Sequence, residues 1–346
     1  MPLKAAGKIA LFTISLLVFT FALILLKEGA RQLGPLMRNH LSVNTPANAL
    51  GFGWLFAYAV MSGSPVAAIT LTLLDAGALN ALEAFAMING SRLGASFIVL
   101  FIGFVYTLRG SERKAMTTGL LSLLVTQTIY LPALFLGGWV LNNGWLDRFQ
   151  MASASEIHSV FDLFFDPIIG LLLSWLPRWG IFILGFIVLM ASFSLLDRSL
   201  PQFRLENSSF SGMARLLYRP IVTFLLGAAI TTVTMSVSLS VSILVPLSLR
   251  GYIRRENIIP YVMGANITTF IDTLIAAVIL GNSAAFTVVL VEMLSVAAIS
   301  LLVIIFFYRR YARGVLGFVD GLLQNKLRLT LYMFGIVGVP LLLMLS

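Results

Sequence analysis

Long apolar stretches dominate the chain, at 9–26, 85–108, 120–141, 181–196, 258–280, 286–307 and 329–345, with most charged residues falling between them. Each is close to the roughly 20 residues that a helix needs to cross a bilayer, so each predicts a full crossing. The first run follows Lys4 and Lys8, has no small-residue cleavage site and precedes Lys27 and Arg31. It is expected to stay as a first span, with the N-terminus cytoplasmic. Residues 159–176 mix Asp162 and Asp166 with phenylalanines and Pro167, a pattern that predicts an interfacial or re-entrant segment rather than a span.

Two further apolar stretches break the simple pattern. The stretch between Arg219 and Arg250 would make about 45 Å of helix, which is too long for one crossing and suits a helix that enters, breaks and returns. The break is expected near Ser236 and Ser238, where Thr231, Thr232, Thr234, Ser240 and Ser242 add hydroxyls that compete for backbone hydrogen bonds. An earlier element, Met61-Ser62-Gly63-Ser64 followed by Pro65, matches Met235-Ser236-Val237-Ser238. The offset that carries Met61 onto Met235 also carries Gly53 onto Gly227, Gly77 onto Gly251 and Gly90 onto Gly264, without a gap. The loop after the first element is acidic (Asp75, Glu83) and the loop after the second basic (Arg250, Arg254, Arg255), so the charge rule puts the two loops on opposite faces.

This predicts an all-α integral membrane protein with inverted-topology repeats and two re-entrant broken-helix hairpins, an arrangement that belongs to secondary transporters. The expected organisation is 1–50, an N-terminal span and loop; 51–110, transport repeat 1; 111–214, connecting spans and the interfacial helix; 215–282, transport repeat 2; 283–346, C-terminal spans.

Composition narrows the reading. Of 346 residues 59% are apolar and 11% charged, which leaves little mass outside the bilayer. The net charge of +9 would suggest nucleic acid in a soluble chain, but here Arg109, Arg113, Lys114, Arg215, Arg219, Arg309, Arg310 and Arg313 flank apolar runs and read as topology signals. Without cysteine there are no disulfides or thiolate metal sites, and His40 and His158 alone make a poor metal cluster. No dinucleotide or phosphate-loop motif is present, so an enzyme is not expected. A channel is the more serious rival, since broken helices can also line a pore.

Arg92 and Asn266 stand downstream of the two serine elements, each at the same distance beyond its methionine. On Met235-Ser236-Val237-Ser238 and Gly264-Ala265-Asn266-Ile267-Thr268-Thr269-Phe270, with the looser Met61-Ser62-Gly63-Ser64 and Gly90-Ser91-Arg92-Leu93-Gly94-Ala95-Ser96, the chain resembles the sodium-dependent phosphate symporter family over roughly 53–103 and 227–277. The resemblance implies sodium-coupled uptake of inorganic phosphate or a similar oxyanion across the cell (inner) membrane. It nominates Ser62, Ser64, Ser236 and Ser238 for the anion, and Asn266, Thr268 and Thr269 for sodium. Sodium would be the coupling ion and no cofactor is implied; lipid is the other expected partner, nucleic acid is not, and a homodimer is left open.

Departures from the family pattern are as informative. Both motif glutamines are Met61 and Met235 here, and Arg92 replaces the first-repeat asparagine. Asp272 adds a carboxylate to the second repeat. A charge at membrane depth is costly unless paired or wet, and marks function by default. Three roles compete for Arg92: holding the substrate's oxygens, pairing with Asp272 across the repeats, or occupying a position where relatives hold sodium. Asp272 is a candidate cation ligand or proton carrier. Proton coupling, or transport of another anion, is the alternative. Glu292, within the run 286–307, shares the ambiguity of Asp272, with helix–helix polar pairing as the other reading, and Asp75 and Glu83 read as solvated loop residues.

Overall fold

The computed structural model describes residues 5–39, 43–108, 114–145, 154–199, 219–242, 244 and 253–346. The elements are α1 (Ala5–Ala30), α2 (Gly34–Asn39), α3 (Pro46–Val60), α4 (Ser64–Asp75), α5 (Ala81–Leu108), α6 (Lys114–Asn142), α7 (Ala154–Trp175) and α8 (Arg178–Ser199). They continue with α9 (Pro220–Thr234), α10 (Val237–Ser242), α11 (Arg255–Thr268), α12 (Phe270–Leu280), α13 (Ser283–Leu302), α14 (Tyr308–Gln324) and α15 (Lys326–Leu345). Among the described residues every regular element is helical, and 7 helical segments are long and apolar enough to cross a membrane. All seven coincide with the seven apolar runs. Outward-facing Phe135, Phe164, Trp175, Phe306 and Leu342 are strongly exposed, as a lipid-facing surface requires, because hydrocarbon carries no penalty for apolar side chains.

Ser283–Gln324 forms 42 residues of nearly continuous helix, about 63 Å long, twice the thickness of the hydrocarbon core. Only its first half fits across. A π-helical turn at Val303–Phe307 separates that half from α14. There Ala312, Val315, Val319 and Leu322 are buried, while Arg309, Arg310 and Arg313 are exposed. Residues 308–324 are thus an amphipathic helix, a form suited to the membrane–water boundary.

The interior is built by close helix contacts at small residues. A Cβ on Gly53 would lie 2.2 Å from the Met87 carbonyl oxygen, and one on Gly227 would lie 2.1 Å from that of Tyr261. On Gly90 it would lie 2.1 Å from the Leu50 oxygen, and on Gly264 2.0 Å from the Phe224 oxygen. Only glycine permits α3 to lie so close to α5, and α9 to α11, the small-residue packing typical of helices in lipid. Gly53 and Met87 correspond to Gly227 and Tyr261, and Gly90 and Leu50 to Gly264 and Phe224, at the offset that relates the two methionines.

Two acidic residues depart from the sequence reading. Glu83 is buried: its backbone N–H donates to Asn80 Oδ1 at 2.9 Å and its carboxylate accepts from the Asn80 N–H at 2.9 Å, a reciprocal cap on the start of α5. Asp75 meets Lys27 Nζ at 2.9 Å and accepts from Asn282 Nδ2 at 2.7 Å, so it ties α1 to the turn between α12 and α13. Both side chains are committed to the fold, Glu83 by a local cap and Asp75 because helix packing brings Lys27 and Asn282 to it.

Candidate functional site

The chain breaks at both serine elements. Met61 follows α3 with φ 54°, and Met235 follows α9 with φ 48°; they are the two non-glycine residues with positive φ among those described. A left-handed residue ends a helix because the backbone amides beyond it turn away from the preceding carbonyls. Ser62 and Gly63 then lead into α4, which starts at Ser64-Pro65, where proline's missing N–H costs nothing. In the second element Ser236 leads into α10.

Hydroxyls clip the second break together. Thr234 Oγ1 donates to the Ser236 carbonyl at 3.2 Å, spanning the break. Thr231 Oγ1 donates to Ser240 Oγ at 2.7 Å, and Ser240 Oγ lies 2.9 Å from the Tyr261 hydroxyl. Thr231 and Ser240 therefore join the two arms to each other and to α11. The side chain of Ser238 lies outside the described residues.

Between the breaks sits Arg92, 4% exposed, on α5. Its guanidinium donates to Ser64 Oγ at 3.2 Å, Thr269 Oγ1 at 3.3 Å and Asp272 Oδ1 at 3.4 Å, and also to Thr273 Oγ1. The Thr273 hydroxyl passes the interaction on, donating to Asp272 Oδ1 at 2.8 Å. The guanidinium carbon lies 4.9 Å from the centre of the Phe270 ring, within cation–π range. Arg92 Nε and Asp272 Oδ2 have no hydrogen-bond partner. A buried charge pair so surrounded is stable because each charge compensates the other, yet each retains one polar atom with which to meet a ligand.

Beside the pair is a small cavity of about 20 Å³, lined by Ser62, Ser64, Arg92 and Ser96 around the first break and α5, by Ser236, Asn266 and Thr269 around the second break and α11, and by Tyr130 of α6. That volume admits about one water. A tetrahedral oxyanion needs the two breaks to separate. Six of the residues singled out from the sequence thus share one cavity, and Asp272 stands behind Arg92.

The residues nominated for the cation have other commitments. Thr268 Oγ1 donates to the Ala228 carbonyl at 2.9 Å, pointing from α11 to α9. Asn266 Nδ2 donates to Thr126 Oγ1 at 3.1 Å, and the Asn266 carbonyl accepts from the Tyr130 hydroxyl at 3.0 Å. The α11–α12 junction at Thr269 keeps helical torsions, and Thr269 N–H donates to the Ala265 carbonyl at 3.1 Å. The backbone here is not unwound. Tyr130, Phe270 and Thr273 do not stand out in the sequence. Thr273 next to Asp272 is a signal that could be read there, whereas Tyr130 arrives from α6, far in sequence from both serine elements.

Neither a family model, nor a curated protein, nor a solved structure matches this chain.

Proposed function

We propose that this multi-span helical membrane protein is a secondary transporter of a small oxyanion, inorganic phosphate foremost, working through two inverted repeats whose re-entrant hairpins α3–α4 and α9–α10 meet at Arg92. One observation carries the reading: two helix breaks at equivalent positions, each with a left-handed methionine and a serine behind it, line one buried cavity with a guanidinium between them. Serine hydroxyls and a guanidinium are the donors that a tetrahedral oxyanion takes. Elements that break at membrane depth are tolerated where they line such a cavity.

Binding would draw Arg92 towards the anion and loosen its contact with Asp272, linking substrate to the state of that carboxylate. Sodium is the coupling ion that the resemblance to the phosphate symporters implies. A second reading, proton coupling, is favoured by a specific observation: the side chains of Asn266 and Thr268 already bond to protein partners, while buried carboxyl oxygens on Asp272 and Glu292 have none.

The test is uptake of labelled phosphate, sulfate and arsenate into proteoliposomes under a sodium gradient, a proton gradient or neither. The reading expects gradient-driven phosphate uptake, accelerated by preloaded unlabelled phosphate and lost in Arg92→Met. Uptake insensitive to preloading would indicate a pore instead. No uptake of any of the three anions under any gradient would refute it.

A further inference from the structure

Glu292 lies in α13 and is fully buried. Its Oε1 accepts from Asn89 Nδ2 at 2.8 Å, and the same nitrogen lies 3.3 Å from the Tyr130 carbonyl. Glu292 Oε2 has no partner, and neither has Asn89 Oδ1, on the other side of that amide. A bare carboxylate is the least tolerable group at such a place: half of it faces no donor, and its one bond comes from a neutral amide. An acid is different. A proton on Oε2 creates a donor where none exists, and Asn89 Oδ1 is a neighbouring acceptor without one. A proton removes the charge from the buried carboxyl group and gives Oε2 a hydrogen to donate.

Charged and titratable groups around Glu292 are few. Helix α5 supplies Arg92, one turn beyond Asn89, and Glu83, which is used in the cap described above. Helix α6 supplies Tyr130, and α12 supplies Asp272, bonded to Arg92. The charged residues of α11, Arg255 and Glu256, sit in its first turn, with Arg255 bonded to Asp320 at 2.6 Å. The charged residue of α4, Asp75, sits at its end and is held by Lys27. The π-helical turn after α13 carries no charge. None of these groups bonds to Glu292, so no cation neutralises it by contact.

Glu292 is also joined to the candidate site. Asn89 and Arg92 share a face of α5 at the i, i+3 spacing, and Tyr130, whose carbonyl receives Asn89, lines the site cavity and holds the Asn266 carbonyl. Release of the proton would leave a negative charge on the partner of Asn89, itself one helical turn from Arg92, where its field competes with Asp272 and with a bound anion for the guanidinium.

We propose that Glu292, paired with Asn89, is a proton-binding site that holds a proton in the anion-binding state and exchanges it during transport. Its coupling role rests on the transport reading above; its protonation does not. The proton is taken up by the carboxylate oxygen and given back to water, with no other bond changed. Intramembrane carboxyls of this kind serve as proton relays in transporters.

Infrared difference spectroscopy of the purified protein at neutral pH tests the first part without any substrate. The expected result is a carbonyl band of a buried carboxylic acid in the wild type that disappears in Glu292→Gln and shifts in Asn89→Ala. Spectra of wild type and Glu292→Gln that superimpose in this region would show an ionised Glu292 and overturn the proposal. Loss of the band on adding sodium at fixed pH would assign the site to sodium, and would overturn it equally. Because glutamine can keep the bond to Asn89, Glu292→Gln should fold and melt like the wild type, while Glu292→Ala should not. In proteoliposomes Glu292→Gln should lose accumulation driven by an inside-alkaline gradient yet retain exchange of labelled for unlabelled phosphate. Retained proton-driven accumulation would refute the coupling role. Absence of phosphate transport in the wild type would count against the transport reading alone and leave the infrared result standing.

Discussion

Removing Asp272 should damage the protein more than removing Arg92, and removing both should cost less than the two losses together. The pair is buried, with 4% of either side chain exposed, so breaking it leaves a desolvated charge, about 3–5 kcal/mol for a one-sided loss. The surroundings set the order. After Arg92→Met, Asp272 keeps the Thr273 hydroxyl, and a carboxyl group, unlike a guanidinium, has a neutral form open to it. After Asp272→Leu, Arg92 keeps Ser64, Thr269, Thr273 and the Phe270 face, but hydroxyls do not cancel its charge and a guanidinium does not deprotonate. We therefore expect about 3 kcal/mol for Arg92→Met and about 5 kcal/mol for Asp272→Leu. In the double variant the charges vanish together and apolar side chains of similar length fill the space, so it should cost less than Asp272→Leu alone, a coupling above about 3 kcal/mol. Chemical denaturation in detergent micelles gives the cycle for all four proteins. Additive effects would refute the pairing argument, and a milder Asp272→Leu than Arg92→Met would refute the account of which charge is harder to strand.

Gly264→Ala should force α9 and α11 apart, since the new methyl would stand 2.0 Å from the Phe224 oxygen, at about 1–3 kcal/mol; Gly314→Ala, with nothing within 4 Å, should melt like the wild type, and equal melting temperatures for both would contradict the close approach. Met235→Gly removes the left-handed strain of a side chain, so stability should change by no more than about 1 kcal/mol; a large loss of melting temperature would mean that the methionine side chain, rather than its backbone, holds the break. Tyr261→Phe removes the hydroxyl that meets Ser240 and should cost about 1–2 kcal/mol, with amide hydrogen exchange rising in α9 and α10; exchange unchanged there would exclude a clip.

Much of the architecture was legible because lipid is a simple solvent. A run such as 120–141 must be a helix, since hydrocarbon offers its backbone no other partner, and its length alone sets the crossing. The breaks at Met61 and Met235 were legible for related reasons: the stretch from Arg219 to Arg250 is too long to cross once, and the first element matches its serines and adds Gly63 and Pro65. The repeat offset told which residues are equivalent, and the glycine contacts of Gly90 and Gly264 follow it.

Three-dimensional packing decided the rest. That Asp75 bonds to Lys27 and Asn282, that Thr268 turns towards Ala228, and that Tyr130 reaches the cavity depend on how helices far apart in sequence rotate about their axes, and periodicity does not specify that rotation. Arg92 stood out as a charge in an apolar run, with three roles open; its distances to Ser64, Thr269 and Asp272 come from α4 packing against both α5 and α12. Glu292 stayed open between polar pairing and a cation- or proton-binding role because a sequence shows a carboxyl group but not its neighbours. Only the fold reveals that one of its oxygens is bonded and the other is not, and in a medium without water that difference determines whether the group carries a charge or a proton.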